Sequence, residues 1–192
     1  MNERIFNALA NGSGTLAHGH TFQAHPTACA AAVAVQKIIQ RENILSKVRE
    51  MGIVLETELR EQVDTLPFVG DIRGRGLFWA VEFMANPATK HPFSLASNFS
   101  NRIVDTAMEM GLNILGNLGK TGEYDVEFVI ISPPYIVTET EIRQIVRMLK
   151  EAILSVSREY VLEMQEQERL LNARGERYYR KSRSSVQISS VI

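Results

Sequence analysis

Apolar residues recur along this chain with two periods, and the change from one to the other organises it. Residues 1–10 place Ile5, Phe6 and Leu9 on one side of a short helical pattern, ended by the turn-forming run Asn11-Gly-Ser-Gly14. Pro26 opens a stronger helix, because proline in a first turn lacks only an N–H that has no intrahelical partner there. From Ala28 to Ala34 that helix is apolar on nearly every face, which predicts burial and close packing. A second helix is expected over Glu42–Val63, where Ile44, Val48, Met51, Leu55 and Leu59 return at three- and four-residue steps; Pro67 stops it.

The period then shortens. Val69–Gly76 and Leu77–Phe83 read as two strands joined or kinked at glycines. A loop with Pro87 and Pro92 spans 86–95. Asn98–Met110 reads as a helix stopped by Gly111, Leu112–Leu115 as a short strand, and Gly116–Asp125 as a glycine-rich polar turn. Glu127–Ile131 is a further strand, closed by Pro133-Pro134. Thr138 and Glu141 have the spacing of a capping box, and Ile142, Ile145, Val146, Leu149, Ile153 and Val156 mark one face of the helix it opens. Beyond Tyr160 this pattern thins into Glu, Gln and Arg, and Arg180–Ser190 reads as a disordered, basic, serine-rich tail. No internal repeat is present. The order of elements predicts an α/β protein, α+β within these residues, with a short sheet covered by helices.

Composition narrows the class. A chain of 192 residues, 45% hydrophobic and 22% charged, is an ordinary globular sequence with room for one domain or one and a half. A net charge of -1 gives no electrostatic reason to expect nucleic acid or an anionic membrane as partner. The basic residues Arg174, Arg177, Arg180, Lys181 and Arg183 are diluted by Glu163, Glu166, Glu168 and Glu176, the pattern of a solvated helix end. No apolar run reaches membrane-spanning length, and the first residues do not form a secretory signal. Cys29 stands alone, so no disulfide forms within the chain. A cytoplasmic protein is expected, with a mitochondrial one also compatible.

The segment richest in chemistry is His18-Gly-His-Thr-Phe-Gln-Ala-His-Pro-Thr-Ala-Cys-Ala-Ala-Ala32. A glycine beside a hydroxyl residue in a loop can turn backbone N–H groups and an O–H toward an anion, so a phosphate near Gly19 and Thr21 is chemically sensible. The same Gly-His-Thr also suits an ordinary turn. His18, His20 and His25 match no zinc-ligand spacing, and no cysteine or carboxylate joins them, so no metal site is expected.

As a whole this segment resembles the class III aminotransferases, pyridoxal-phosphate (PLP) enzymes of fold type I. Asp71-Ile-Arg-Gly-Arg-Gly-Leu-Phe-Trp-Ala-Val-Glu82 is similar to the family's Arg-Gly-x-Gly-Leu segment with its following acidic residue. Ile131-Ser-Pro-Pro-Tyr-Ile-Val-Thr-Glu-Thr-Glu141 resembles the Pro-Pro segment that leads into the family's final helix. The likeness covers residues 1 to about 157.

The resemblance implies that Thr21 binds the cofactor phosphate in the active site of a neighbouring subunit, with Gly19 and His20 in the same loop, and hence a homodimer. It implies transfer of an amino group from an amine or amino acid to a keto acid. It also implies that residues 1–35 end a PLP-binding large domain, that 36–160 form the small carboxyl-terminal domain, and that 161–192 are a charged helical extension and tail. Two departures stand against the matches. The Schiff-base lysine of the family lies upstream of Gly-His-Thr, whereas Lys37, Lys47, Lys90, Lys120, Lys150 and Lys181 all lie downstream of Thr21 and outside the family's context. No catalytic residue is therefore assigned, and the chain is expected to be a truncated part of such an enzyme, inactive alone and not holding PLP by itself. Some members also carry an arginine before the double proline that grips a substrate carboxylate; Phe128-Val-Ile-Ile-Ser-Pro-Pro134 has none.

Arg73 and Arg75 are open between an anion clamp and a surface role; Glu82 reads as structural and Trp79 as core or interface. The alternative to a transaminase is a catalytically dead remnant that binds a full-length paralogue through the old dimer surface. Either way, the fragment reading expects the alanine-rich helix to expose an apolar patch.

Overall fold

The computed structural model describes residues 2–15, 18–94, 96–117 and 126–186, with side chains through Asn172. The chain divides into two compact units, Met1–Ile44 and Leu45–Ile192.

The first unit holds α1 (Glu3–Ala10) and α2 (Pro26–Arg41). Asn2 caps α1 by accepting from the Ile5 N–H at 3.0 Å. Pro26 stands in the first turn of α2 as the sequence predicts, but the predicted burial of this helix is overturned: none of its residues is buried. Val33, Val35 and Ile38 are 40–54% exposed. An apolar circumference demands neighbours, and none among the described residues covers this one. The apolar patch expected on the alanine-rich helix is present.

The second unit begins with α3 (Ile44–Gln62, continuous across the division) and contains a four-stranded antiparallel sheet in the order β1-β2-β4-β3. Its strands are β1 (Val69–Arg75), β2 (Phe78–Phe83), β3 (Leu115–Gly116) and β4 (Glu127–Ile131). The register pairs Arg73 with Ala80, Trp79 with Ile131, and Val81 with Val129. Period-two alternation buries Trp79, Val81 and Phe83 on β2 and Val129 and Ile131 on β4. They join Leu55, Leu59 and Val63 at the end of α3, Phe99, Ile103 and Ala107 of α4 (Phe99–Glu109), and Ile142, Val146, Leu149, Ile153 and Val156 of α5 (Glu139–Val186) in one core. The α+β expectation holds for this unit.

Glycine lets two backbones touch at one point. A Cβ on Gly52 of α3 would fall 2.7 Å from the Gly76 Cα, so the helix and the β1–β2 turn close without side chains between them. Gly76 itself sits at φ +58°, and its carbonyl accepts the Trp79 indole N–H at 2.8 Å. Phe68, Phe83, Phe93, Phe99 and Tyr160 form a cluster with ring centroids 4.5–5.7 Å apart, tying the turn before β1 and the loop at 86–94 to α4 and α5.

Two boundaries differ from the sequence pattern. Leu112 and Ile114 are buried but lie outside the sheet, and the strand expected at Leu112–Leu115 is shifted to Leu115–Gly116, where Leu115 pairs with Ile130 and Gly116 with Val129. Alternation identifies the buried positions, but only the partner strand sets where pairing starts. The final helix is longer than expected: α5 runs through Arg180 to Val186, where a disordered tail was anticipated. The stretch after Tyr160 is rich in Glu, Gln, Arg and Leu, all good helix formers, so propensity persists after the apolar face has thinned. Most of the expected glycine-rich turn, residues 118–125, and the end of the tail, 187–192, lie outside the described residues.

Candidate functional site

The loop that leads into α2 carries the residues singled out for phosphate binding. Its turn is closed by the Gln23 N–H donating to the His20 carbonyl at 3.0 Å and the His25 N–H to the Phe22 carbonyl at 3.3 Å. Gly19, His20 and Thr21 are exposed, and Phe22 is 74% exposed. The Thr21 hydroxyl has no hydrogen-bond partner among the described residues. Beside it, a Cβ at Gly19 would come within 3.2 Å of the Gln23 side-chain oxygen, a contact that a small shift of this flexible side chain relieves. The first turn of α2 follows directly, and backbone N–H groups at a helix start favour an anion.

His25 has a role that the sequence pattern did not assign. It is the N-cap of α2, its Nδ1 accepting from the Ala28 N–H at 3.4 Å. A readable signal was present, because the residue before a proline in a first helical turn occupies the cap position. His18 and His20 do not join it in a metal cluster; no group of three or more His, Cys, Asp or Glu side chains suited to a metal ion occurs among the described residues. Lys37 lies eleven residues after Pro26 on α2, about 16 Å along the helix axis.

The arginine segment belongs to the other unit. Arg73 Nη1 donates to Asp71 Oδ2 at 2.7 Å and to Glu82 Oε2 at 2.5 Å, a cross-strand bridge on the exposed side of the β1–β2 hairpin. The Glu82 and Asp71 hydrogen bonds raise the Arg73 pKa further above its ordinary range. With two carboxylates in hand, this guanidinium acts as a bridge across the sheet surface. Arg75 is exposed at the end of β1. Trp79 is buried in the core, and Glu82 is a structural partner of Arg73.

Sequence reasoning also missed the buried carboxylate of Glu127. It is 3% exposed and accepts from the backbone N–H of Phe99 at 3.0 Å and of Ser100 at 2.8 Å, and from the Ser100 hydroxyl. Asn98, the formal cap of α4, sits in the left-handed region at φ 47° and makes no side-chain cap bond, so Glu127 on β4 caps α4 across the fold. A partner 28 residues distant in sequence leaves no local signature.

The profile of the class III aminotransferase family matches residues 1–153. The chain belongs to that family. It is 39% identical over 155 residues to an aminotransferase of Gibberella zeae, covering 80% of this chain and 30% of that protein. Among solved structures it is similar to a transaminase from the marine bacterium Virgibacillus, with 33% identity and a TM-score of 0.69, covering 83% of this chain and 35% of that one. It is also similar to an amine transaminase from an uncultivated Pseudomonas species in its PLP-bound form, with 31% identity and a TM-score of 0.66, covering 81% and 34% of the two chains. The fold is thus that of the fold type I transaminases. This class III chain spans about a third of the length of the curated relatives it matches. PLP is the cofactor of the family, and no helix among the described residues is long and apolar enough to cross a membrane.

Proposed function

We propose that this class III aminotransferase chain supplies the phosphate loop and small domain of a PLP-dependent transaminase, with the lysine that holds the cofactor outside these 192 residues. The observation that carries the reading is the exposed, unpartnered Thr21 hydroxyl in the Gly-His-Thr loop ahead of α2. Thr21 donates to a phosphate oxygen, Gly19 keeps the backbone open to it, His20 shapes the loop, and the start of α2 adds the positive end of its dipole. When bound, PLP supplies the electron sink and amino-group carrier of transamination between an amine or amino acid and a keto acid.

On this reading residues 1–35 end the large domain, 36–160 are the small domain, and the loop serves the cofactor of a second subunit in a homodimer. Arg73 is held by Asp71 and Glu82 and takes no part in substrate binding. The apolar run Phe128–Ile131 before Pro133-Pro134 lacks a guanidinium, which favours an amine substrate or one whose carboxylate is gripped elsewhere.

Titration of the purified chain with PLP, and separately with inorganic phosphate, tests this. Millimolar phosphate is expected to shift the amide resonances of Gly19–Thr21 and Thr21→Val to weaken the shift, while PLP binds no more tightly than phosphate because the rest of its pocket lies outside these residues. Borohydride treatment after dialysis has removed free PLP is expected to leave all six lysines unmodified. A pyridoxyl-lysine mapped to any of them, or no response of the loop to millimolar phosphate, refutes the assignment.

A further inference from the structure

The later part of α5 lies beyond the family match, which ends at residue 153. At 48 residues the helix is about 72 Å long, yet its buried positions stop at Ser157, with Tyr160 half-buried against the aromatic cluster. The face that packs on the core through Leu149, Ile153, Val156 and Tyr160 continues at helical steps to Met164 and Leu171, which are 48% and 67% exposed. Nothing among the described residues lies beneath them.

Charge along the same stretch is polarised. Residues 159–168 contain four glutamates and no lysine or arginine, whereas 169–183 contain six basic residues and one glutamate. Arg102 of α4 already holds Glu159 at 3.1 Å and Glu163 at 2.9 Å, anchoring the start of the overhang to the folded unit. A parallel, in-register partner of the same sequence would set acid against acid and base against base. An antiparallel one sets each acidic half against a basic half.

We infer that the α5 extension pairs antiparallel with the extension of a second copy of this chain, crossing near Leu171. That register brings Met164 opposite Tyr178, Glu168 opposite Arg174 and Glu159 opposite Arg183. It covers the orphaned apolar face with its own counterpart. The interface is separate from the Gly-His-Thr loop and needs no cofactor.

Cysteine cross-linking in a Cys29→Ser background reads the arrangement directly. In the antiparallel pair the two copies of residue 164 stand about 21 Å apart, far beyond disulfide reach. Met164→Cys alone is therefore expected to give no cross-linked dimer, while a mixture of Met164→Cys and Tyr178→Cys chains gives one under mild oxidation. Glu168→Lys added to both partners, or Arg174→Glu added to both, is expected to weaken that band, and one of each is expected to restore it. Met164→Cys linking to itself would mean a parallel pair, and absence of any 164–178 link would mean that the extensions do not meet. Either result overturns the inference. Met164 and Glu168 are exposed, and unchanged helical circular dichroism is the control for folding of every variant.

Discussion

Glu127 offers the sharpest test of how this fold is held. Its carboxylate is buried and takes three donors, the N–H groups of Phe99 and Ser100 and the Ser100 hydroxyl, all on residues that are themselves fully buried. Glu127→Leu keeps an apolar volume of similar size but leaves those donors in the interior without an acceptor. Each stranded donor costs about 1–3 kcal/mol, and the three share one site and do not add fully, so a loss of about 3–5 kcal/mol is expected. Glu127→Gln retains one acceptor oxygen while its amide nitrogen confronts a donor, for which about 2 kcal/mol is expected. Trp79, the single tryptophan, is buried in the same core and reports on this unit by fluorescence during urea unfolding. The midpoint should fall with the slope unchanged. Ser100→Ala should cost less, and the double substitution with Glu127→Gln should show a coupling of about 1 kcal/mol. If Glu127→Leu unfolds within about 1 kcal/mol of the parent, this long-range cap contributes little to the fold and the reasoning fails.

Other consequences follow from particular contacts. Gly52→Ala should destabilise the second unit by about 1–3 kcal/mol, because the new methyl meets the Gly76 backbone rather than a movable side chain; an unchanged urea midpoint would show that the turn yields freely. The Glu141 carboxyl is held below its ordinary value of 4.5, first by the Thr138 backbone N–H and then by the Thr138 hydroxyl. Its folded-state value is the depressed one, so the stability it lends is present above the ordinary value and is lost as pH falls through the lowered one. In Thr138→Ala its NMR titration midpoint should rise toward 4.5 but stay below it, since the backbone donor remains; no movement would remove the hydroxyl from the account. Arg102→Ala should cost under about 1 kcal/mol globally, as its acidic partners are solvent-exposed. It should also speed hydrogen exchange of residues just after Tyr160, and unchanged exchange there would separate the arginine from the anchoring of α5.

Local signals were enough to place most elements. Pro26, the Thr138–Glu141 box and the glycines after Val69 each act on the few residues around them, so their consequences could be read in order along the chain. The box is present as expected: the Thr138 N–H donates to Glu141 at 2.8 Å and the Glu141 N–H to the Thr138 hydroxyl at 3.3 Å. The start of α2 was legible for the same reason, since Pro26 fixes where the helix begins.

What the tertiary structure alone decided depends on residues far apart in sequence. The burial expected for α2 failed because burial belongs to a helix and its neighbours together, and Val33 and Ile38 stay exposed among the described residues. The start of β3 was fixed by β4, and the cap of α4 by Glu127. The partners of Arg73 emerged only when β1 and β2 paired and brought Glu82 to 2.5 Å from its guanidinium. Sequence sets what each residue can do chemically; distance in space, which a linear pattern does not contain, selects the partner with which it does it.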